Sequence, residues 1–122
     1  MAQEQIRRGS TELLVLGLLN EKPLHGYGLR KLISTRSHKR LEARDSMLYP
    51  ALSSLEDRRL VEGQWEGPPE GKQKKVYHIT REGEVYCAQL FIEWIQFMED
   101  LGKVLPGLST AQQFLAEGGE KA

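Results

Sequence analysis

The sequence predicts a mainly α fold with one small β-hairpin, an α+β class, and three observations carry that expectation. Three short stretches have helical spacing, two β-prone runs joined by a turn-forming loop come next, and a long helical periodicity closes the pattern. A chain of 122 residues has room for one modest core. With 39% hydrophobic and 28% charged residues it falls among globular rather than disordered sequences.

Ser10-Thr11 ahead of Glu12-Leu13-Leu14-Val15-Leu16-Gly17-Leu18-Leu19 reads as an N-capped helix closed by Asn20 and Pro23. It is apolar almost all round, which predicts burial on several sides, and Gly17 predicts the close approach of another element. His25 to Ile33 puts Leu29, Leu32 and Ile33 on one face of a short basic helix. Ser34 to Arg44 carries Arg36, His38, Lys39, Arg40 and Arg44 with little apolar pattern, so a solvated connection is expected there.

A third helix is expected over Ser46 to Arg59. Leu48, Ala51, Leu52 and Leu55 share one face, while Ser46, Met47, Tyr49, Pro50, Ser53, Ser54 and Arg58 point elsewhere. Proline is tolerated in the first helical turn and costs about 3 kcal/mol further in. The helix is therefore expected either to begin near Ser46 or to bend at Pro50. Asp45 sits where the positive end of the helix dipole favours an anion.

Leu60 to Trp65 and Lys75 to Ile79 are the β-prone runs, and Glu66 to Lys74 between them holds two prolines and two glycines. That is a hairpin with a long tip, where Lys72, Lys74 and Lys75 place three cations. Thr80 then caps a last helix running to about Leu101 or Leu105. Along it Cys87, Phe91, Trp94, Met98, Leu101 and Leu105 recur at steps of four and three, and Val85, Leu90, Ile92, Ile95 and Phe97 widen the apolar arc. A chain this small cannot easily cover so broad a face, and each large side chain left in water forfeits about 1.5 to 3 kcal/mol. A second copy of the chain is the simplest cover. Ser109 to Glu117 is expected to form one more short helix, fraying at Gly118-Gly119.

Charge and composition narrow the chemistry. Net charge is zero, yet residues 1–80 hold 14 Lys and Arg against 10 Asp and Glu, and residues 81–122 hold 3 against 7. A basic front and an acidic rear suit a protein that orients itself on DNA. The lone Cys87 excludes an internal disulfide and fits a reducing compartment. Leu13 to Leu19, the longest apolar run, is far shorter than the roughly 20 residues of a membrane helix, and the charged N-terminus has no signal-peptide core. A cytoplasmic protein is expected. His25, His38 and His78 lack metal-ligand spacing, and no phosphate-cradling loop is present, so no metal, cofactor or enzymatic activity is expected.

Helix, helix, helix, hairpin, helix is the order of a winged helix-turn-helix. Leu16-Gly17-Leu18-Leu19, then Pro23 and His25-Gly26-Tyr27, then Leu48-Tyr49-Pro50-Ala51-Leu52 and Leu55-Glu56, then Lys75 to Gly83 resemble the successive signatures of the PadR family. The resemblance covers residues 13–83. It implies a homodimeric prokaryotic regulator, usually a repressor, whose last helix forms the dimer. The short tail resembles the compact branch of that family. By its distance from Thr80, Trp94 matches a tryptophan that helps multidrug-sensing members of this branch form a flat aromatic cavity between subunits. The chain departs from the family pattern at Gly28, where Glu is frequent, and at Ser53 and Ser54, where basic residues are common.

The expected organisation is a winged helix-turn-helix over 1–80, a dimerisation helix over 81–105 and a tail over 106–122. Double-stranded DNA is the expected partner, contacted by Arg36, Arg44, Ser46, Met47, Tyr49, Ser53, Ser54, Lys72, Lys74 and Lys75. Two copies would read a roughly palindromic operator with half-sites about 34 Å apart. The expected dimer interface is Leu14, Leu18, Cys87, Phe91, Trp94, Met98 and Leu101, with Trp94 also a candidate for a small aromatic effector. The competing reading is a winged-helix protein-interaction module that never binds DNA, which zero net charge favours.

Overall fold

The computed structural model describes residues 2–107 and 115–118. The elements run α1 (Ala2–Glu21), β1 (Leu24–His25), α2 (Gly26–Arg36), α3 (Asp45–Asp57), β2 (Val61–Glu66), β3 (Lys74–Ile79) and α4 (Arg81–Val104). The α+β class is the expected one.

α1 begins at Ala2, well before the expected cap at Ser10. The stretch ahead of Ser10 is mostly Ala, Gln, Glu and Arg, all good helix formers, so Ser10 lies inside the helix. Its C-terminal half supplies Val15, Leu16, Leu18 and Leu19 to the core. Gly17 does not mark a close approach: a Cβ placed there would meet nothing within 4 Å.

β1 was not expected, because two residues are too short to show alternation. It pairs antiparallel with β3, Leu24 opposite Tyr77 and His25 opposite Val76. β3 also pairs antiparallel with β2, from Val61 opposite Ile79 to Glu66 opposite Lys74, so the sheet order is β1-β3-β2.

α2 continues three residues beyond the expected Ile33 and takes Arg36 out of the connecting loop. It ends on a left-handed residue, His38 at φ 53°, with the Lys39 amide donating to the Ser34 carbonyl at 2.7 Å and the His38 amide to Thr35 at 3.2 Å. α3 ends the same way. Arg59 has φ 59°, its amide donates to Glu56, and the Leu60 amide donates to Leu55 at 2.9 Å. Both are Schellman closures without the usual glycine. Pro50 sits within α3, and the helix runs on through it. With no N–H on Pro50, the Ser46 carbonyl loses its intrahelical donor, an affordable loss because both residues are exposed to water.

By compactness the chain divides into Met1–Gln89 and Leu90–Ala122, so the first turns of α4 group with the winged segment. The core of the first unit joins the α1 residues to Leu29 and Ile33 of α2, Leu48, Leu52 and Leu55 of α3, and Leu60, Val61 and Tyr77 at the sheet. α4 starts on a side-chain cap: Thr80 Oγ1 accepts from the Gly83 amide at 3.0 Å and donates to the Arg59 carbonyl at 2.8 Å. Gly83 packs directly against the Leu60 carbonyl, leaving no room for a Cβ. In the second unit, Phe91, Ile92, Ile95, Phe97 and Met98 are exposed, while Trp94 and Leu101 are half-buried. Most of the short helix expected over Ser109–Glu117 lies outside the described residues, of which Leu115 and Ala116 are helical. No helix among the described residues is long and apolar enough to cross a membrane.

Candidate nucleic-acid interface

α3 buries Leu48, Leu52 and Leu55 and leaves Ser46, Tyr49, Pro50 and Ser53 as an exposed stripe at helical spacing, with Ser54 beside it. The stripe carries hydroxyls and a ring and no cation. Tyr49 is 43% exposed and lies directly over Gly26, where an added Cβ would come within 2.5 Å of its hydroxyl. The glycine of His25-Gly26-Tyr27 therefore makes the space in which the Tyr49 ring sits. At the helix start, Arg30 Nε lies 3.2 Å from Asp45 Oδ1, a Coulombic contact without the alignment of a hydrogen bond.

The hairpin is joined to α3 through one carboxylate. Glu56 Oε1 accepts from Lys75 Nζ at 2.9 Å, and Glu56 Oε2 accepts from the Gly63 amide at 3.2 Å. This hydrogen bond with Glu56 raises the Lys75 ammonium above its ordinary range, and the ammonium also stands 5.5 Å from the Tyr77 ring centre. Lys75 is thus half-buried and paired, which corrects its expected place among three tip cations. Lys74 is also in β3, at its exposed start, and Lys72 is in the loop. Among the described residues neither Lys72 nor Lys74 has an ionic partner.

Arg36 is engaged elsewhere as well. Its two terminal nitrogens donate to Glu21 at 2.7 and 2.9 Å, an exposed fork that raises the guanidinium and lowers the Glu21 carboxyl. Arg44 is exposed at the N-cap of α3 and, with half-buried Met47, borders a hollow of about 370 Å³ against Leu14, Ile33 and Leu41. Met47 thus faces that hollow and does not join the exposed stripe. Leu18, expected at the dimer interface, is buried in the core of the chain, whereas Leu14 is half-buried at the hollow. Cys87 is half-buried, and burial pushes its thiol up, as for an inert thiol.

The structure also brings Tyr27 and Trp65, which sequence reasoning left out of the interface, together with Tyr49. The three rings line a depression of about 570 Å³ between α2, α3 and the hairpin, along with Lys72, Lys74, Lys75 and Tyr77. A large aromatic on a short strand beside a turn was the available signal for Trp65. No group of His, Cys, Asp and Glu able to hold a metal occurs among the described residues.

Residues 15–89 match the transcriptional regulator PadR-like family. The chain belongs to the PadR-like family. An uncharacterized protein of Lysinibacillus sphaericus is 29% identical over 108 residues, spanning 88% of this chain and 99% of that one. A transcriptional regulator from Clostridium thermocellum superposes with a TM-score of 0.77 at 27% identity, over 81% of this chain and 96% of the other. A PadR family transcriptional regulator from Eggerthella lenta gives 0.74 at 28% identity, over 85% and 88%. PadR-like proteins are DNA-binding transcription regulators and not enzymes, and this chain is one of them.

Proposed function

We propose that this PadR-like chain is a homodimeric repressor that occludes a promoter by binding a roughly palindromic operator. The observation that carries the reading is the uncharged stripe of α3 lying beside two lysines that have no ionic partner among the described residues. Ser46, Tyr49, Ser53 and Ser54 would meet base edges and phosphates in the major groove, since hydroxyls bond to either. Lys72, Lys74 and Arg44 would neutralise backbone charge beside them. The exposed apolar face of α4 supports the dimer, because five large side chains in water are poorly tolerated on a monomer. A gel shift against DNA upstream of the coding sequence, repeated over a range of salt, tests the reading. A shift that weakens with salt and outlasts mixed-sequence competitor is expected; binding no tighter than to competitor would sink the operator.

The proposal extends to a planar aromatic effector held between the two copies at Trp94. Trp94 is half-buried and stands on α4 between exposed Phe91 and Met98. An indole pair across the two-fold axis would stack a flat ligand, gaining about 0.5 to 1.5 kcal/mol beyond area burial. In a Trp65→Phe variant only Trp94 emits strongly. Planar aromatic compounds should quench that emission and alter DNA affinity; an unresponsive signal would make Trp94 a packing residue.

A further inference from the structure

The depression between α2, α3 and the hairpin is lined by three large rings that the described residues leave exposed, with the Arg30 guanidinium 5.6 Å from the Tyr27 ring centre. Trp65 is 67% exposed, Tyr27 57% and Tyr49 43%. Aromatic side chains concentrate at interfaces, where a rigid ring offers contact area at little entropic cost. The lining is also chemically mixed, since Lys72 and Lys74 stand on the border with no ionic partner among the described residues.

We infer that Trp65, Tyr27 and Tyr49 form a cradle for the deoxyribose units of one DNA strand, with Lys72 and Lys74 on the adjoining phosphates. The inference rests on the proposed DNA contact and deepens it. A nucleic-acid strand carries both anionic phosphate and weakly polar sugar, and this surface offers both cations and rings. A compact small molecule is the poorer occupant, because such ligands bury most of their own surface and these rings lie open to solvent. Continuity favours DNA too. Tyr49 belongs both to the exposed stripe of α3 and to the cradle, so a strand leaving the stripe passes over the rings toward the hairpin.

Ring contacts and ion pairs separate by salt. Neutralising phosphates releases counterions and sets the slope of log K against log salt, whereas packing a ring on a sugar releases none. Contacts to sugar and phosphate carry no sequence information, so a mixed-sequence duplex is a sufficient probe. Trp65→Ala should weaken binding to that duplex on the order of tenfold with an unchanged salt slope, and Trp65→Tyr should restore most of the loss. Because Trp65 is exposed, the melting temperature of both variants should match that of the parent. In a Trp94→Phe background the Trp65 emission should change on adding duplex.

Full affinity in Trp65→Ala, or a loss accompanied by a shallower slope, overturns the cradle. Trp65 emission that responds to a planar aromatic carboxylate such as 2-naphthoate but not to duplex overturns it as well and assigns the depression to a small ligand. If the unaltered protein ignores duplex DNA altogether, the proposed DNA contact falls first and the cradle with it.

Discussion

Arg59 holds a left-handed backbone at the end of α3, a conformation that costs an L-residue roughly 1–2 kcal/mol and glycine little. The Schellman bonds around it and the Thr80 hydroxyl on its carbonyl hold it there. Arg59→Gly should therefore raise stability by about 0.5–1 kcal/mol after the added freedom of the unfolded chain is counted. Thermal unfolding should show a midpoint a few degrees higher; a lower one would mean that the arginine side chain contributes more than its backbone costs. Left-handed positions were invisible in the sequence because neither His38 nor Arg59 is a glycine. The buried leucines of α3 were legible, since Leu48, Leu52 and Leu55 repeat at helical spacing. Met47 was misplaced for a related reason: periodicity says which residues leave the core face, but not which then find a hollow against another element.

Among elements, the hairpin divides its lysines into two kinds. Lys72 and Lys74 have no ionic partner among the described residues, whereas Lys75 is matched by Glu56, the residue that also takes the Gly63 amide. Gly63 leaves room for this pair, because an added Cβ would push the end of the Lys75 side chain aside. Replacing both Lys72 and Lys74 by Gln should lower the salt slope of DNA binding by nearly one per lysine, or about two per protomer. Lys75→Gln should loosen the hairpin while changing the slope much less, because its charge is already compensated. Equal slope changes from all three lysines would return Lys75 to the phosphate contacts. The pH dependence has a definite sign. A lysine raised by its partner contributes stability that is fully present below the ordinary lysine range and lost as pH rises through its raised value. Glu56→Gln should remove that alkaline component from a pH titration of unfolding. The hairpin itself was legible from its β-prone runs and Pro-Gly tip, but the division of its lysines was not. That division depends on a carboxylate 19 residues away in sequence, brought near by the fold.

For the whole molecule, the decisive question is what covers α4. Phe91 and Met98 are 56% and 61% exposed. If the dimer is obligate, Phe91→Asp or Met98→Asp should give aggregated or unfolded protein, read by size-exclusion chromatography and circular dichroism. A soluble, well-folded monomer from either change would show that the helix stands without a partner. The breadth of the apolar arc was legible in the sequence, whereas Leu18, expected at the dimer interface, is buried in the core, because an all-round apolar helix does not announce which side faces home.

The lack of cations on the exposed stripe of α3 bears on how such a regulator would find its site. Attraction to arbitrary DNA comes almost wholly from released counterions, and the stripe itself would release none, leaving that part to the cations proposed beside it, Arg44, Lys72 and Lys74. Each chance encounter along the chromosome would then be brief, with little one-dimensional sliding between neighbouring sequences. Target search would proceed mainly by repeated landings from solution, and operator occupancy would follow the number of dimers in the cell more closely than the length of DNA flanking the site.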